Sequence, residues 1–251
     1  MNWRVMAASA TGRSHLDLGL PCQDAHASAL VGELLVAVLC DGAGSAAQSD
    51  AGARHVASSV AAAVAAAPTL GADPLALPVE ALRPIIETAI AAAREQLAAQ
   101  AAAQGLCLSD YACTLVGALA DSRGGWFFHV GDGVAACVFN GDLPAALSLP
   151  ANGEYANETF FVTGDNWREQ LRLTRFAGAV AALVLMSDGV QPFAMARGGE
   201  SLFDPFIAPV LRYLGGVDTA AGSQALHATL ADPRTEAITG DDKTLLIALP
   251  V

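Results

Sequence analysis

Basic residues are scarce in this chain: 13 Lys and Arg stand against 25 Asp and Glu, a formal charge of −12 over 251 residues. Nucleic acid and anionic membrane are therefore not expected partners, because phosphate-rich surfaces are held by basic patches. A phosphorylated substrate stays open, since bound divalent ions can supply positive charge locally. Cysteine is sparse too. Cys22, Cys40, Cys107, Cys113 and Cys137 are odd in number and include no C-x-x-C pair, so neither a disulfide framework nor a cysteine-held zinc is expected. His15, His26, His55, His129 and His227 are scattered without an H-x-x-x-H pair, which removes the histidine route to zinc. No apolar run reaches the ~18 residues that a membrane-spanning helix requires. The opening Met-Asn-Trp-Arg-Val lacks a basic segment followed by an apolar one, so no secretory leader is read and a reducing cytoplasm is the expected compartment. There is no G-x-x-x-x-G-K-[ST] loop and no D-x-D-x-[TV] run, which argues against P-loop and aspartyl-phosphate chemistry.

What is present is apolar. The hydrophobic fraction is 53%, ample for a sizeable core, and much of it is alanine, which lets helices pack closely. Trp3 to Ser9, Asp24 to Leu30 and Leu34 to Cys40 read as strands, the last two as a hairpin. Gly12 to Cys22 reads as a polar loop with Gly19 and Pro21. Ala46 to Ala67 is helical, with Val56, Val60 and Val64 at four-residue spacing and Pro68 as its stop. A turn-rich stretch, Thr69 to Pro78, leads to a second helix on which Leu82, Ile86, Ile90, Ala93 and Leu97 share a face. Pro84 predicts that its regular part starts there rather than at Val79. Cys113 to Ala120, Gly125 to Val130 and Val134 to Phe139 read as a meander. Leu147 to Phe176 is irregular. Val180 to Met186 is a buried strand, Phe203 to Leu214 and Thr219 to Leu230 are helical, and Lys243 to Leu249 is the closing strand. No linker or repeat divides the chain, so one domain over 1–251 is expected, with two sheets inside and helices outside.

Three acidic motifs punctuate these runs: Asp41-Gly42-Ala43-Gly44, Ser187-Asp188-Gly189 and Gly240-Asp241-Asp242-Lys243-Thr244. Each puts a carboxylate beside glycine at the end of a buried strand, where side chains from distant segments converge. Ligands that are all oxygen suit hard cations such as Mg²⁺ or Mn²⁺.

With Cys22-Gln23-Asp24, Ala112-Cys113-Thr114 and Val130-Gly131-Asp132-Gly133, these motifs make six matches, in order, to one family. The chain resembles the metal-dependent serine/threonine protein phosphatases of the PP2C (PPM) family, in their bacterial branch, over nearly its whole length. The resemblance implies an α+β fold, an αββα four-layer sandwich of two mainly antiparallel sheets flanked by helices. It implies two Mn²⁺ or Mg²⁺ ions, with a third position in bacterial relatives. Carried over by motif, Asp41 bridges the two ions and the Gly42 carbonyl ligates one. Asp188 and Asp241 complete the second metal's shell, Asp24 acts through water, and Asp132 with Asp188 matches the third position. Asp41, Asp188 and Asp241 would then carry catalysis through a metal-activated water. The substrate implied is phosphoserine or phosphothreonine on a protein, paired with a Ser/Thr kinase.

Some residues stay open. Asp241 is favoured over Asp242 by counting three residues back from Thr244. Asp132 reads equally as a hairpin turn, because Gly133-Val134 follows where relatives carry Ser-Arg. Ala43 stands where some eukaryotic relatives have a histidine proposed as general acid. The arginine that grips substrate phosphate in relatives has no clear counterpart; counting from Gly12 lands on His15, with Arg13 as second choice. A flap-like segment is expected around 150–176; Tyr155 to Thr159 lies in it, readable either as a substrate contact or as an ordered polar loop. Two other functions compete with a protein phosphatase: a catalytically weak regulatory or binding module, and a phosphatase for small phosphorylated metabolites.

Overall fold

The computed structural model describes residues 2–68, 70, 73–150 and 159–251. Among the described residues, ten strands form two antiparallel sheets. The first holds β1 (Trp3–Ala10), β6 (Val134–Phe139), β7 (Ala146–Ser148), β9 (Val180–Met186) and β10 (Lys243–Pro250), in the order β1-β10-β9-β6-β7. The second holds β2 (Ala25–Val31), β3 (Leu34–Cys40), β4 (Leu115–Asp121), β5 (Gly124–Val130) and β8 (Arg172–Ala177), ordered β2-β3-β4-β5-β8. The helices are α1 (Arg13–Leu18), α2 (Ser49–Ala65), α3 (Val79–Gln104), α4 (Trp167–Gln170), α5 (Gln191–Ala194), α6 (Asp204–Gly215), α7 (Thr219–Leu230) and α8 (Pro233–Glu236).

Side chains alternate across each strand, and that alternation builds four layers. From β3, Leu35, Ala37 and Leu39 enter the space between the sheets, where they share one core with Leu183 and Leu185 of β9 and Leu246 of β10. The other face of β3, Leu34, Val36, Val38 and Cys40, packs with Val56, Val60 and Val64 of α2 and Leu82, Ile86 and Ile90 of α3. On the far side, Leu245, Ile247 and Leu249 of β10 meet Ile207 and Leu214 of α6 and Leu226 and Leu230 of α7. The order is therefore helix, sheet, sheet, helix. Strands buried on both faces explain why β3 and β9 read as unbroken apolar runs. No helix among the described residues is long and apolar enough to cross a membrane.

Four expectations need correction. The meander does not close: β4 and β5 pair, but β6 leaves for the other sheet and pairs with β9 and β7. The break is at Gly131, whose φ of 112° is open to glycine and rare for other residues. Second, Gly12 to Cys22 contains a helix, α1, ended by Gly19 at φ 68°. Third, α3 starts at Val79 despite Pro84. So near the helix start the proline removes a single backbone bond, and Leu82 and Ile86, both fully buried, hold the turn against the sheet. Fourth, the irregular stretch after Leu147 holds β7 and β8, edge strands too short or too polar to show a period. Residues 151–158, which include part of the expected flap and all but Thr159 of Tyr155 to Thr159, lie outside the described residues.

Candidate active site

The acidic motifs meet at one end of the two sheets. The loop leaving β3 is sewn to the segment before β4. Asp41 N donates to Thr114 Oγ1 at 3.0 Å, Thr114 N donates to Asp41 O at 2.8 Å and Ala43 N to Ala112 O at 2.9 Å. Gly42 is buried and forms a bridge with Cys113. In the other sheet, β9 runs into Ser187 and then a 3₁₀ turn over Asp188–Val190. Glycine is required inside that turn, since a Cβ on Gly189 would collide with the Asp242 carbonyl and sit 3.3 Å from Asp241 Cβ. Close backbone approach is thus what sets Asp188 beside Asp241.

Asp24 joins them from the start of β2. It is buried, and its Oδ2 accepts a hydrogen bond from Ser187 Oγ at 2.8 Å. Ser187 Oγ in turn accepts from Thr244 N at 2.9 Å. The other oxygen of Asp24, and Oδ1 of Asp188, are buried with no hydrogen-bond partner among the described residues. The electrostatics agree with a crowded acidic pocket. Burial pushes Asp24 up to about 7, against the pull of hydrogen bonds from Ser187 and Thr244, with Asp242 and Asp188 adding repulsion. Burial raises Asp188 to about 6, and Asp241 and Asp132 push the same way. Asp41 is held well above the ordinary carboxylate range by loss of water first, then by Asp24 and Asp188.

Unpartnered buried carboxylate oxygens that repel one another are costly unless a cation enters. The donor set fits a hard divalent ion: every side chain offers oxygen, and two buried oxygens await a partner. Among the described residues, no group of three or more His, Cys, Asp or Glu side chains is placed to hold a metal ion. What the structure shows is a cluster of mutually repelling carboxylates.

The remaining candidates are placed as follows. Asp132 is half-buried in the β5–β6 turn, faces Asp41 and Asp188 electrostatically, and accepts from Thr159 Oγ1 at 2.7 Å. Its carbonyl accepts from Gln191 Nε2 at 2.6 Å, which ties the turn to α5. Asp241 is exposed, whereas Asp242 is buried. Asp242 Oδ1 accepts from Gly12 N at 2.7 Å and Oδ2 from Gln23 N at 2.5 Å. His15 Nδ1 lies 2.9 Å from Asp242 Oδ2, and a Cβ on Gly44 would be 3.8 Å from His15 Nε2. His15 is therefore brought to the Asp-Gly-Ala-Gly loop. Arg13 is not: its side chain is 71% exposed and pairs with Asp17 at 3.7 Å.

Sequence reasoning missed three residues. Ser187 orients Asp24, Thr114 holds the Asp41 backbone, and Asp242 fastens two loops. Ser187 and Thr114 lie inside the family's motifs, and the Asp241-Asp242 doublet is the signal for the third. Ser187→Ala is expected to weaken divalent-ion binding by ~10–100-fold, the usual effect of removing a group that orients a ligand. Titration calorimetry with Mn²⁺ checks this.

A four-layer sandwich with acidic motifs gathered at its strand ends is the arrangement expected of a phosphatase of this fold. The comparisons agree. Residues 11–231 match the family model described as protein phosphatase 2C. Serine/threonine-protein phosphatase 3 of Escherichia coli (strain K12) is 31% identical, over 99% of this chain and 99% of that protein. A solved bacterial serine phosphatase superposes with a TM-score of 0.68 at 16% identity, covering 99% of this chain and 98% of the other. PppA of Pseudomonas aeruginosa, described as a key regulatory component of T6SS, superposes with a TM-score of 0.64 at 20% identity, with the same coverage. The chain belongs to the protein phosphatase 2C family and is a phosphatase.

Proposed function

We propose that this protein hydrolyses phosphoserine and phosphothreonine in proteins, as one domain spanning 1–251, using two Mn²⁺ or Mg²⁺ ions. Asp41 would bridge them, with the Gly42 carbonyl, Asp188 and Asp241 as further ligands and Asp24 acting through water. Asp132 with Asp188 would serve a third, looser position. The observation that carries this reading is the convergence of Asp24, Asp41 and Asp188, which repel one another, with unpartnered buried oxygens on Asp24 and Asp188.

Ions held there would supply a water that is nucleophilic at neutral pH and positive charge against the phosphoryl oxygens. The chain supplies the rest. Ser187 fixes one oxygen of Asp24, and the other is buried without a hydrogen-bond partner among the described residues. Asp242 fastens the Gly12 and Gln23 backbones, which keeps Asp24 and His15 in place. His15 is the better phosphate donor, since Arg13 is turned to solvent beside Asp17. Its imidazole would grip phosphate best when protonated. A protein kinase must supply the substrate, because only phosphoryl transfer to a hydroxyl side chain makes it. A cytoplasmic location is the simplest setting.

The test is hydrolysis of para-nitrophenyl phosphate and of phosphoserine and phosphothreonine peptides, with and without Mn²⁺ or Mg²⁺. Turnover is expected only with metal and is expected to vanish with chelator. Full turnover in chelated buffer would overturn the two-metal reading. A raised KM in His15→Ala with unchanged metal affinity, and none in Arg13→Ala, is the expected signature of the phosphate donor.

A further inference from the structure

α1 and the residues after it form a lobe that carries apolar side chains without burying them. Leu16 is 56% exposed, Leu18 72% and Leu20 39%, and α1 has no buried residue at all. Leucine on a six-residue helix is ordinarily the residue that packs it down. Here the segment is held at its stems instead. Ser14 N donates to Gly240 O at 3.0 Å, and beyond the helix Gln23 N donates to Asp242 Oδ2 at 2.5 Å. The lobe leaves the site at His15 and returns to it at Gln23, and both of those residues meet the same carboxylate, Asp242. Asp24 follows at once. The lobe is therefore a projecting lip, fixed at both stems to the candidate active site.

We infer that Leu16, Leu18 and Leu20 recognise apolar side chains flanking the phosphorylated residue of a polypeptide substrate. This rests on the proposed protein phosphatase activity. A polypeptide whose phosphate is held at His15 would lie beside this segment, since Leu16 follows His15 directly and the segment returns to the site at Gln23. The two fixed charges of the lobe, Arg13 and Asp17, pair with each other, so the lobe offers apolar contact rather than net charge. A second copy of this chain is a poorer occupant: a stable interface covers roughly 800 Å² per partner, about 20–30 residues, far more than three leucines supply.

The test compares two phosphothreonine peptides, one with leucine on either side of the phosphothreonine and one with serine there. Wild type and the triple variant Leu16→Ser/Leu18→Ser/Leu20→Ser are assayed with both peptides and with para-nitrophenyl phosphate. Wild type is expected to favour the leucine peptide ~10-fold in kcat/KM, equivalent to about 1.4 kcal/mol. The triple variant is expected to lose that preference while its melting temperature and its para-nitrophenyl phosphate turnover stay unchanged. Equal kcat/KM for the two peptides in wild type, or an intact preference in the variant, overturns the inference and leaves the phosphatase reading standing. So does a variant that loses para-nitrophenyl phosphate turnover equally, since the lobe would then only brace the site. A concentration-dependent dimer abolished in the variant, without peptide preference, assigns the leucines to self-association and overturns it too. Absence of all hydrolysis in metal-loaded wild type overturns the proposed function and this inference with it.

Discussion

Asp41→Asn is expected to cut kcat/KM by more than ~100-fold at saturating metal, because groups that merely orient a ligand already cost ~10–100-fold. The same substitution is expected to stabilise the protein in chelator at pH 8. The two effects have one cause. Loss of water first, and then repulsion from Asp24 and Asp188, disfavour the charge of Asp41. Asparagine keeps the shape and removes the charge. Its neighbours show the sign. Asp24 is raised from 3.8 to about 7 and Asp188 from 3.8 to about 6. The folded chain therefore binds more protons than the unfolded chain between about pH 4 and 7, and metal-free stability must fall as pH rises through that window. Thermal melts in chelator at pH 5 and pH 8 are expected to show the loss in wild type and a smaller loss in Asp41→Asn. Equal melts, or near-normal turnover in the variant, would remove Asp41 from the centre of the site.

The adjacent aspartates are expected to separate into opposite phenotypes. Asp242→Ala strands two buried backbone donors, Gly12 N and Gln23 N. Hydrogen bonds to a charged group contribute ~1.5–3 kcal/mol each, so a loss of about 3–5 kcal/mol is expected. At this chain length that lowers Tm by on the order of 10 °C. Asp241 is exposed and its Oδ1 accepts only the neighbouring Asp242 N, at 2.8 Å, among the described residues. Asp241→Asn is expected to leave Tm nearly unchanged while lowering turnover more than ~100-fold, by the same ligand argument. Melting and metal-dependent kinetics of the two variants decide the matter, and reversed phenotypes would exchange the roles of the doublet.

Much of the fold is legible in the residue pattern. Unbroken apolar runs place β3, β6, β9 and β10, and period-four repeats or helical composition place α2, α3 and α7, close to where they lie, because a strand buried on both faces is apolar throughout and a helix that buries one face must repeat it. The motifs place Asp41, Asp188 and Asp241 at strand ends, where the structure also puts them. β7 and β8 are illegible: one has three residues and the other is mostly half-exposed, so neither imposes a pattern.

The sequence by itself determined which segments are buried, that the acidic motifs sit at their ends, and, through six ordered motifs, the family. Local pattern suffices for this because burial and backbone geometry act on neighbours along the chain. Only the tertiary structure decided how those ends relate. It sent β6 to the opposite sheet at Gly131, made Asp242 the clasp of two loops, brought His15 to Gly44 and turned Arg13 away. It also folded part of the Gly12 to Cys22 loop into α1 and left Leu16, Leu18 and Leu20 in solvent. Each of these depends on contacts between residues up to 230 positions apart, as Gly12 and Asp242 are, and no local period encodes such a distance.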